Sequence, residues 1–367
     1  MSGRHLVLAG GGHAHLELLH RLKAFIGRGC RVTIISPDSY HYYSGMGPGL
    51  LGNQYQAEEI RFDIRKIATE RGGTFLADAV IGIRPDQRSL ELASGRKLAY
   101  DFASFNLGSE VPREPGFEAD ARLITVKPIV NLERARQRLL AEPTQRILQL
   151  VVAGGGPAGS EIAGNLRRLT DRQNRKCQVT LVAGRELLAG YPRRLRKQVL
   201  QDFASRGIIV REGCRLTGFS AGQADLDDDT SLPADFLFLA VGVRPPTLFR
   251  KAGLHVGAEG GMLVNRCLQS VDYPELFGGG DCICFAEKPL DKVGVHAVRQ
   301  GPVLAENLLA ALDGKPLRAY QPQKHYLLIF NLGSGRGVLH WRGLVLGGRW
   351  IFRLKDWIDR RFMRGNR

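Results

Sequence analysis

Two glycine-rich turns constrain the fold of this chain more than any other feature. The first, Gly10-Gly-Gly12-His-Ala-His15, follows the apolar run 5–9, and the second, Gly154-Gly-Gly156-Pro-Ala-Gly159, follows the apolar run 150–153. Each turn opens a helical pattern, the arrangement in which glycines let the backbone approach a pyrophosphate at a helix N-terminus. Two such turns predict an α/β fold with two Rossmann-like dinucleotide-binding domains.

The two turns differ at the third glycine. The second turn has all three, Gly154, Gly156 and Gly159, and residues 179–182 supply the next strand of a βαβ unit. The first carries His15 at that place, so we expect the close contact between helix and strand to be made differently. Ser36 also stands where an acidic residue usually holds a ribose hydroxyl pair.

Length and composition indicate an ordinary globular protein. The 367 residues predict two or three domains, and 44% apolar with 24% charged residues is typical of soluble proteins. No apolar run approaches the roughly 20 residues of a membrane span, and the first strand leaves no room for a signal peptide, so we expect a cytoplasmic location. The net charge of +16 favours anionic partners such as dinucleotides or an anionic membrane. No nucleic-acid recognition motif is present, so we expect no nucleic acid.

The cysteines and histidines predict neither a disulfide framework nor a metal. The six cysteines are scattered apart from Cys282-Ile-Cys284, which predicts reduced thiols. Zinc-ligand spacing is absent, and His13 and His15 lie inside a phosphate-type turn rather than beside other ligands.

An aromatic and glycine-rich segment, 40–51, follows the first βαβ pattern. One interpretation is a mobile surface loop, and the other is a cover for a flat aromatic ligand, which the density of tyrosine favours. Further on, the pattern predicts a boundary at 111–116 and a helix at about 128–141. It also predicts a helix from Gly294 that has Pro302 in its first turn.

The chain resembles the flavoprotein disulfide reductase superfamily, and within it the type II NADH dehydrogenases and sulfide:quinone reductases. The resemblance covers nearly the whole chain and is carried by both glycine turns, Asn106-Leu-Gly108-Ser109, the segment 239–245 and Gly279-Gly280-Asp281. The segments 40–51 and 57–64 look closer still to an oxidoreductase module that in some bacteria is fused to selenophosphate synthetase, although here the module stands alone.

The resemblance implies FAD on the first turn and NAD(P)H on the second. It implies an FAD-binding domain at 1–115 and 266–315, an NAD(P)-binding domain at 116–265, and a C-terminal α+β segment at 316–367. In the family, the aspartate matching Asp281 binds the flavin ribityl chain, and the helix matching 294–308 approaches the isoalloxazine. The implied FAD-binding positions are Gly10, Gly12, His15, Ser36, Pro48, Val80, Gly108, Gly280, Asp281 and Ala297. The implied nicotinamide-nucleotide positions are Gly154, Gly156, Gly159, Arg185 and Gly242.

The implied reaction passes a hydride from NAD(P)H to FAD, and then electrons to a quinone-type acceptor. Glu161 matches a family glutamate near the nicotinamide, and its alternative role is a carboxylate stabilised by the helix dipole. Gln300 and His296 lie four apart on one helix face and match the segment that lines the flavin and acceptor site; the alternative for His296 is simple packing. No Cys-x4-Cys pair follows the first helix, so disulfide reduction is not expected. A soluble reductase of sulfur or selenium compounds, or a flavin redox sensor without turnover, remains an alternative.

The choice between NADH and NADPH depends on the end of the strand after the second turn. Val182-Ala-Gly184-Arg185 has no acid for a ribose 2′-hydroxyl, and Arg185 is suited to a 2′-phosphate. The sequence therefore favours NADPH slightly, and a nicotinamide site that no longer binds either form is the alternative.

The C-terminal segment 348–367 reads as a basic amphipathic helix. Trp350, Leu354, Trp357, Ile358 and Phe362 form one stripe, and Arg349, Arg353, Arg360 and Arg364 lie largely opposite. Such a helix is suited to an anionic bilayer surface. The alternatives are docking on the flavin domain or a homodimer contact.

Overall fold

The computed structural model describes residues 3–112, 116–117, 120–143 and 146–366, so the predicted boundary at 111–116 lies partly outside the described residues. The strands are His5–Ala9 (β1), Arg31–Ser36 (β2), Tyr40–Tyr42 (β3), Arg61–Asp63 (β4), Thr74–Ala77 (β5), Val80–Arg84 (β6), Ser89–Leu92 (β7), Lys97–Ala99 (β8), Phe102–Phe105 (β9), Leu123–Thr125 (β10), Leu148–Ala153 (β11), Cys177–Val182 (β12), Ile208–Arg211 (β13), Leu216–Ser220 (β14), Gln223–Leu226 (β15), Ser231–Pro233 (β16), Phe236–Leu239 (β17), Met262–Val264 (β18), Leu276–Gly278 (β19), Ile283–Phe285 (β20), Leu328–Asn331 (β21), Gly337–Trp341 (β22) and Leu344–Gly348 (β23). The α-helices are His13–His20 (α1), Leu22–Ile26 (α2), Gly47–Leu51 (α3), Ile64–Glu70 (α4), Val130–Ala141 (α5), Pro157–Arg172 (α6), Arg193–Ser205 (α7), Leu248–Lys251 (α8), Gly294–Asp313 (α9) and Arg349–Gly365 (α10).

The first large sheet is parallel and has the order β19-β9-β1-β2-β5. Its central strand β1 is buried along its whole length, as expected for a parallel strand covered on both faces. The chain leaves this sheet after β9 and returns to it with β19. Residues far apart in sequence therefore share one sheet edge.

The second large sheet is also parallel, with the order β10-β17-β11-β12-β13. The second glycine turn leads from β11 into α6, which packs on β12. The two sheets, each with a strand–turn–helix unit at its centre, confirm the predicted α/β fold with two Rossmann-like units. The exact boundaries at 115, 265 and 315 stay predictions.

The C-terminal segment folds into the antiparallel sheet β21-β22-β23 followed by α10. Helix α10 packs on this sheet, and its inner face also contacts the first domain through Phe362, which lies against Tyr43 at a ring-centroid distance of 4.8 Å. None of the described helices is both long enough and apolar enough to cross a membrane.

The prediction for Pro302 was wrong. Helix α9 begins at Gly294, so Pro302 lies inside the helix and not in its first turn. The helix continues through the proline because one unbroken face buries Ala297, Gln300 and Leu304, which outweighs one missing backbone hydrogen bond.

The segment 40–51 has regular structure. It forms β3, a short 3₁₀ turn and α3, and all of α3 is buried. The regular structure and the burial of 46–51 therefore count against a surface loop.

Candidate functional site

A cavity of about 610 Å³ lies at the carboxyl ends of β1 and β9, between the first glycine turn and the N-terminus of α9. Strand β1 has β2 on one side and β9 on the other, so this edge is where the strand order reverses, the usual binding position in such sheets. The cavity wall includes eight of the ten predicted FAD positions: Gly10, Gly12, Ser36, Val80, Gly108, Gly280, Asp281 and Ala297. Pro48 is buried in α3 and His15 behind the turn, so neither is among the residues that line the cavity.

The first turn is built so that only glycine fits. Gly10 has φ +91°, and a Cβ there would lie 2.4 Å from the carbonyl oxygen of Asn106. A Cβ on Gly12 would lie 2.2 Å from Oδ1 of Asn106. The Asn106 side chain accepts a hydrogen bond from Ala14 N–H (3.0 Å) and donates one to the Gly279 carbonyl (2.6 Å). Asn106 thereby fixes the first turn against the segment 279–281.

His15 replaces the missing third glycine by hydrogen bonding. Its Nδ1 lies 2.6 Å from the Gly10 carbonyl oxygen and its Nε2 lies 2.9 Å from Oγ of Ser104 in β9. Burial lowers the pKa of His15 to about 4, so the ring is neutral at neutral pH. These two hydrogen bonds show how the helix and the strand are held together without a third glycine, and we assign His15 a role in holding the turn.

Asp281 is held from one side only. Its Oδ2 accepts hydrogen bonds from Nζ of Lys127 (2.6 Å) and Oγ of Ser109 (2.7 Å), whereas Oδ1 receives none from the described residues. Burial acts to raise the pKa of Asp281, but the Lys127 ammonium and the Ser109 hydroxyl outweigh it and keep the pKa below the usual value. The carboxylate is therefore ionised, with one oxygen left for a ligand. Lys127 was missed from the sequence because it lies between β10 and α5, far from Asp281 in the chain.

These residues fit FAD. A helix N-terminus behind a glycine turn favours a diphosphate, the cavity volume is within the range of cofactor sites, and the free Asp281 oxygen suits ribityl hydroxyls. The site thus has a distinct place for the diphosphate and for the ribityl chain.

A histidine pair forms another part of the cavity wall. Nε2 of His41 lies 3.0 Å from Nδ1 of His13, and both residues line the cavity. Burial, and secondarily the positive charge of Lys127, lowers the pKa of His13 to about 4, and burial also lowers the pKa of His41. Both rings are therefore neutral at neutral pH. The sequence placed His13 in the turn but gave no signal that His41 meets it.

Gln300 and His296 lie beside the Gly280 turn rather than in the main cavity. Oε1 of Gln300 accepts a 2.6 Å hydrogen bond from Gly280 N–H, which fixes the backbone next to Asp281. His296 is buried beside Tyr320, and burial lowers its pKa. Both line a small neighbouring cavity together with Asp281. Their catalytic roles stay predictions, and the geometry favours positioning for Gln300 and packing for His296.

The second glycine turn excludes side chains in the same way. Gly154 has φ +127°, and a Cβ there would lie 2.2 Å from the Ala240 carbonyl oxygen. A Cβ on Gly159 would lie 1.8 Å from the Gly154 carbonyl oxygen, so the third glycine lets α6 reach the turn. Gly156 precedes the first residue of α6, and Gly242 follows β17 with φ +108° and is exposed.

Arg185 follows the end of β12 and is exposed. It forms no ion pair within the described part of the chain. The nearby acids Glu186 and Glu212 are both paired with Arg196, at 3.8 and 2.6 Å. The guanidinium of Arg185 is therefore available to an anion.

Glu161 is partly covered and lies within electrostatic range of Lys355 and Asp359, a buried pair in α10. Its Oε1 accepts a 2.7 Å hydrogen bond from Asn331 N–H, and burial raises its pKa to about 7. Lys355 donates to Oδ2 of Asp359 (2.7 Å) and to the Gly45 carbonyl (2.8 Å), and its charge partly offsets the effect of burial on Glu161. Glu161 is not among the residues that line the main cavity.

Helix α10 is amphipathic in an unexpected way. Its inner face buries Lys355, Asp359 and Met363, while Trp350 and Trp357 are 77% and 53% exposed. Leu354 is exposed with them. Ile358 and Phe362 were expected on the same stripe but lie on its more covered side. Phe362 packs against the core of the first domain. Arg360 pairs with Asp356 and Glu59. The sequence identified the stripe but missed the buried ion pair, whose only signal is the i, i+4 spacing of Lys355 and Asp359.

Known proteins resemble this chain in sequence and in fold. Residues 4–306 match the family model for pyridine nucleotide-disulphide oxidoreductases. The chain is 24% identical to ferroptosis suppressor protein 1 of Taeniopygia guttata over 75% of this chain and 74% of that protein. It is 23% identical to the type II NADH:quinone oxidoreductase of Staphylococcus aureus over 97% and 94%. The structure of sulfide:quinone oxidoreductase from Aquifex aeolicus superposes with a TM-score of 0.80 at 18% identity, covering 99% of this chain and 91% of that one.

The predicted membership of this superfamily is confirmed, whereas the finer likeness to the module fused to selenophosphate synthetase stays a prediction. The prediction of FAD with NAD(P)H is likewise confirmed at the level of the family. The chain belongs to the pyridine nucleotide-disulphide oxidoreductase family and is an FAD-dependent NAD(P)H oxidoreductase.

Proposed function

We propose that this protein transfers two electrons from NADPH, through FAD, to a quinone that it meets at an anionic membrane surface. The balanced reaction is NADPH + H⁺ + quinone → NADP⁺ + quinol. Bound FAD supplies the two-electron carrier between the two substrates. The names of two similar proteins, an NADH:quinone and a sulfide:quinone oxidoreductase, support a quinone as acceptor.

The exposed aromatic stripe of α10 carries this proposal. Trp350, Leu354 and Trp357 are exposed on a helix whose other face packs on the protein. The guanidinium groups of Arg353 and Arg361 lie 4.9 and 5.4 Å from the ring centres of Trp350 and Trp357. Solvent-exposed tryptophans with arginine guanidinium groups beside their rings suit the headgroup level of an anionic bilayer.

The buried side of the same helix supports access from the membrane to the site. Phe362 stacks on His13 of the cavity wall at 6.0 Å, and Tyr43 donates a 3.1 Å hydrogen bond to Asp359. A helix bound at the bilayer would thus stand next to the flavin cavity, at the inner face of the membrane for a cytoplasmic protein. Glu161, with a pKa of about 7, is suited to hold or release a proton in this cluster during quinol formation.

The choice of NADPH rests on Arg185. No acid stands at the end of β12 to accept a ribose 2′-hydroxyl, and the two acids nearby are neutralised by Arg196. A free guanidinium in that place favours a 2′-phosphate through a charge-assisted hydrogen bond.

The test is an anaerobic titration of the FAD-loaded protein with NADH and with NADPH, followed by a panel of acceptors. We expect bleaching of the flavin by NADPH and reoxidation by quinones, with long-tailed quinones accepted only when anionic vesicles are present. Reoxidation by polysulfide or selenite but not by quinones would instead indicate a reductase of sulfur or selenium compounds. Bleaching without reoxidation by any acceptor in the panel would indicate a redox sensor.

A further inference from the structure

Lys127 is paired with the carboxylate that the FAD site depends on. Its Nζ lies 2.6 Å from Oδ2 of Asp281 and 3.0 Å from Oγ of Ser109, and both members of the ion pair are mostly buried, with side-chain exposures of 24% and 12%. Lys127 also lines the large cavity. Its charge therefore stands in the wall of the cofactor site and not on the outer surface.

The two oxygens of Asp281 have different surroundings. Oδ2 is engaged by Lys127 and Ser109, while Oδ1 receives no hydrogen bond within the described residues. A carboxylate fixed through one oxygen presents the other in a defined direction, and the ammonium keeps it ionised despite burial. The free oxygen can then accept hydrogen bonds from the hydroxyl groups of a ligand.

The second lysine near Asp281, Lys292, has an acidic partner of its own. Lys292 pairs with Glu259 at 2.7 Å and donates to the Ile283 carbonyl at 2.6 Å. The cavity histidines His13 and His41 are held neutral by burial. Lys292 also acts to lower the pKa of Asp281, but less than Lys127 does, so Lys127 is the main charge that balances Asp281 at the cavity wall.

We propose that Lys127 is a positioning residue of the flavin site: it orients Asp281 for the ribityl hydroxyls and, by balancing that carboxylate, raises the reduction potential of the bound flavin. The inference rests on the FAD assignment within the proposed function, but not on the identity of the acceptor. Reduction adds negative charge to the flavin, and an unbalanced carboxylate beside it disfavours that change.

The experiment compares variants in FAD affinity and in the two-electron midpoint potential of the FAD-loaded protein. Lys127→Gln is expected to weaken FAD binding roughly ten- to a hundredfold, the cost of a charge-assisted hydrogen bond, and to shift the potential to more negative values. Lys127→Arg should restore the potential because it retains the charge. Ser109→Ala removes the neutral partner on the same oxygen and should weaken FAD binding without moving the potential.

Lys292→Gln is the matched control, because it removes the same charge from a lysine that has its own acidic partner. Its shift in potential should be smaller than that of Lys127→Gln. Equal shifts in the two variants, or an unchanged potential in Lys127→Gln, would overturn this inference while leaving the proposed function intact. A wild-type protein that does not bind FAD would instead overturn the cofactor assignment and this inference with it.

Discussion

The backbone N–H of Asn331 donates a 2.7 Å hydrogen bond to Oε1 of Glu161, joining the last residue of β21 to the first turns of α6. This bond ties the second dinucleotide helix to the C-terminal sheet on which α10 packs. The bond stabilises the ionised carboxylate but compensates its desolvation only in part, because burial still raises the pKa of Glu161 to about 7. Glu161 therefore connects α6 to the sheet that carries the helix of the proposed membrane surface, and the charges of Lys355 and Asp359 in that helix act on its pKa.

Glu161→Gln should change how stability depends on pH. In the folded protein the pKa is about 7, above the usual value of about 4.3 for glutamate, so ionisation opposes folding. The contribution of Glu161 to stability is thus lost as pH rises from about 4.3 to 7. Relative to wild type, the glutamine variant should gain up to about 4 kcal/mol between about pH 4 and 8, because it keeps an acceptor for Asn331 N–H without the charge. Urea unfolding at a series of pH values measures this, and parallel pH profiles for the two proteins would contradict it.

Asp281→Ala should lower the FAD content of the purified protein, because it removes both the proposed acceptor for the ribityl hydroxyls and the partner of Lys127. The ratio of flavin to protein absorbance gives the occupancy. Asp313→Ala, which removes a carboxylate paired with Arg28 and Lys315 at the far end of α9, is the control and should retain normal occupancy. Full occupancy in Asp281→Ala would show that the carboxylate does not hold the cofactor.

The parts of the site that lie within one continuous segment were predictable from the sequence. Both glycine turns and the Gly280-Asp281 segment have spacings that the backbone alone explains. Contacts between residues that only the tertiary fold brings together were not predictable. Lys127 and Asp281, or His13 and His41, are separated in sequence, and no local pattern encodes their meeting.

Local rules also failed where tertiary packing dominates. Pro302 is a typical first-turn residue, yet the buried face of α9 extends the helix by about two turns before it. His15 breaks the third-glycine rule, and its ring compensates by bonding Gly10 and Ser104. The sequence alone suggests that the polar residues of α10 are solvent-exposed. Lys355 and Asp359 nevertheless face inward, because they lie one helical turn apart and form an ion pair.

Lys355→Met should destabilise the fold by about 3–5 kcal/mol, because it leaves Asp359 buried without its cation. The double variant Lys355→Met/Asp359→Leu should cost less than the sum of the two single changes, since no unpaired charge remains. Chemical unfolding of wild type, both single variants and the double variant completes the cycle. Additive costs would mean that the two side chains act independently, contrary to their 2.7 Å contact.

Arg185→Ala should weaken NADPH binding more than NADH binding, because only NADPH carries the 2′-phosphate that we propose the guanidinium binds. Flavin reduction monitored at increasing concentrations of each nucleotide gives both affinities. Lys176→Ala removes a cation that is also exposed, at the opposite end of β12, and should leave the ratio unchanged. Equal losses for NADPH and NADH in Arg185→Ala would show that Arg185 does not recognise the 2′-phosphate.

Replacing both Trp350 and Trp357 by serine should weaken binding to anionic vesicles and slow the reduction of long-tailed quinones, while water-soluble quinones react as before. The reason is that these rings are exposed and touch the bilayer in the proposed orientation, whereas the inner face of α10 stays packed. Sedimentation with vesicles at low and high salt measures binding, and the arginines predict that salt weakens it.

Point substitutions are preferable to removal of α10, because truncation before Gly348 would also delete Lys355, Asp359 and Phe362, which contact the first domain. Ile81→Ser is the control, since Ile81 is 60% exposed on β6 and lies outside the C-terminal segment. Unchanged vesicle binding in the double tryptophan variant, with or without salt, would exclude α10 as the membrane surface.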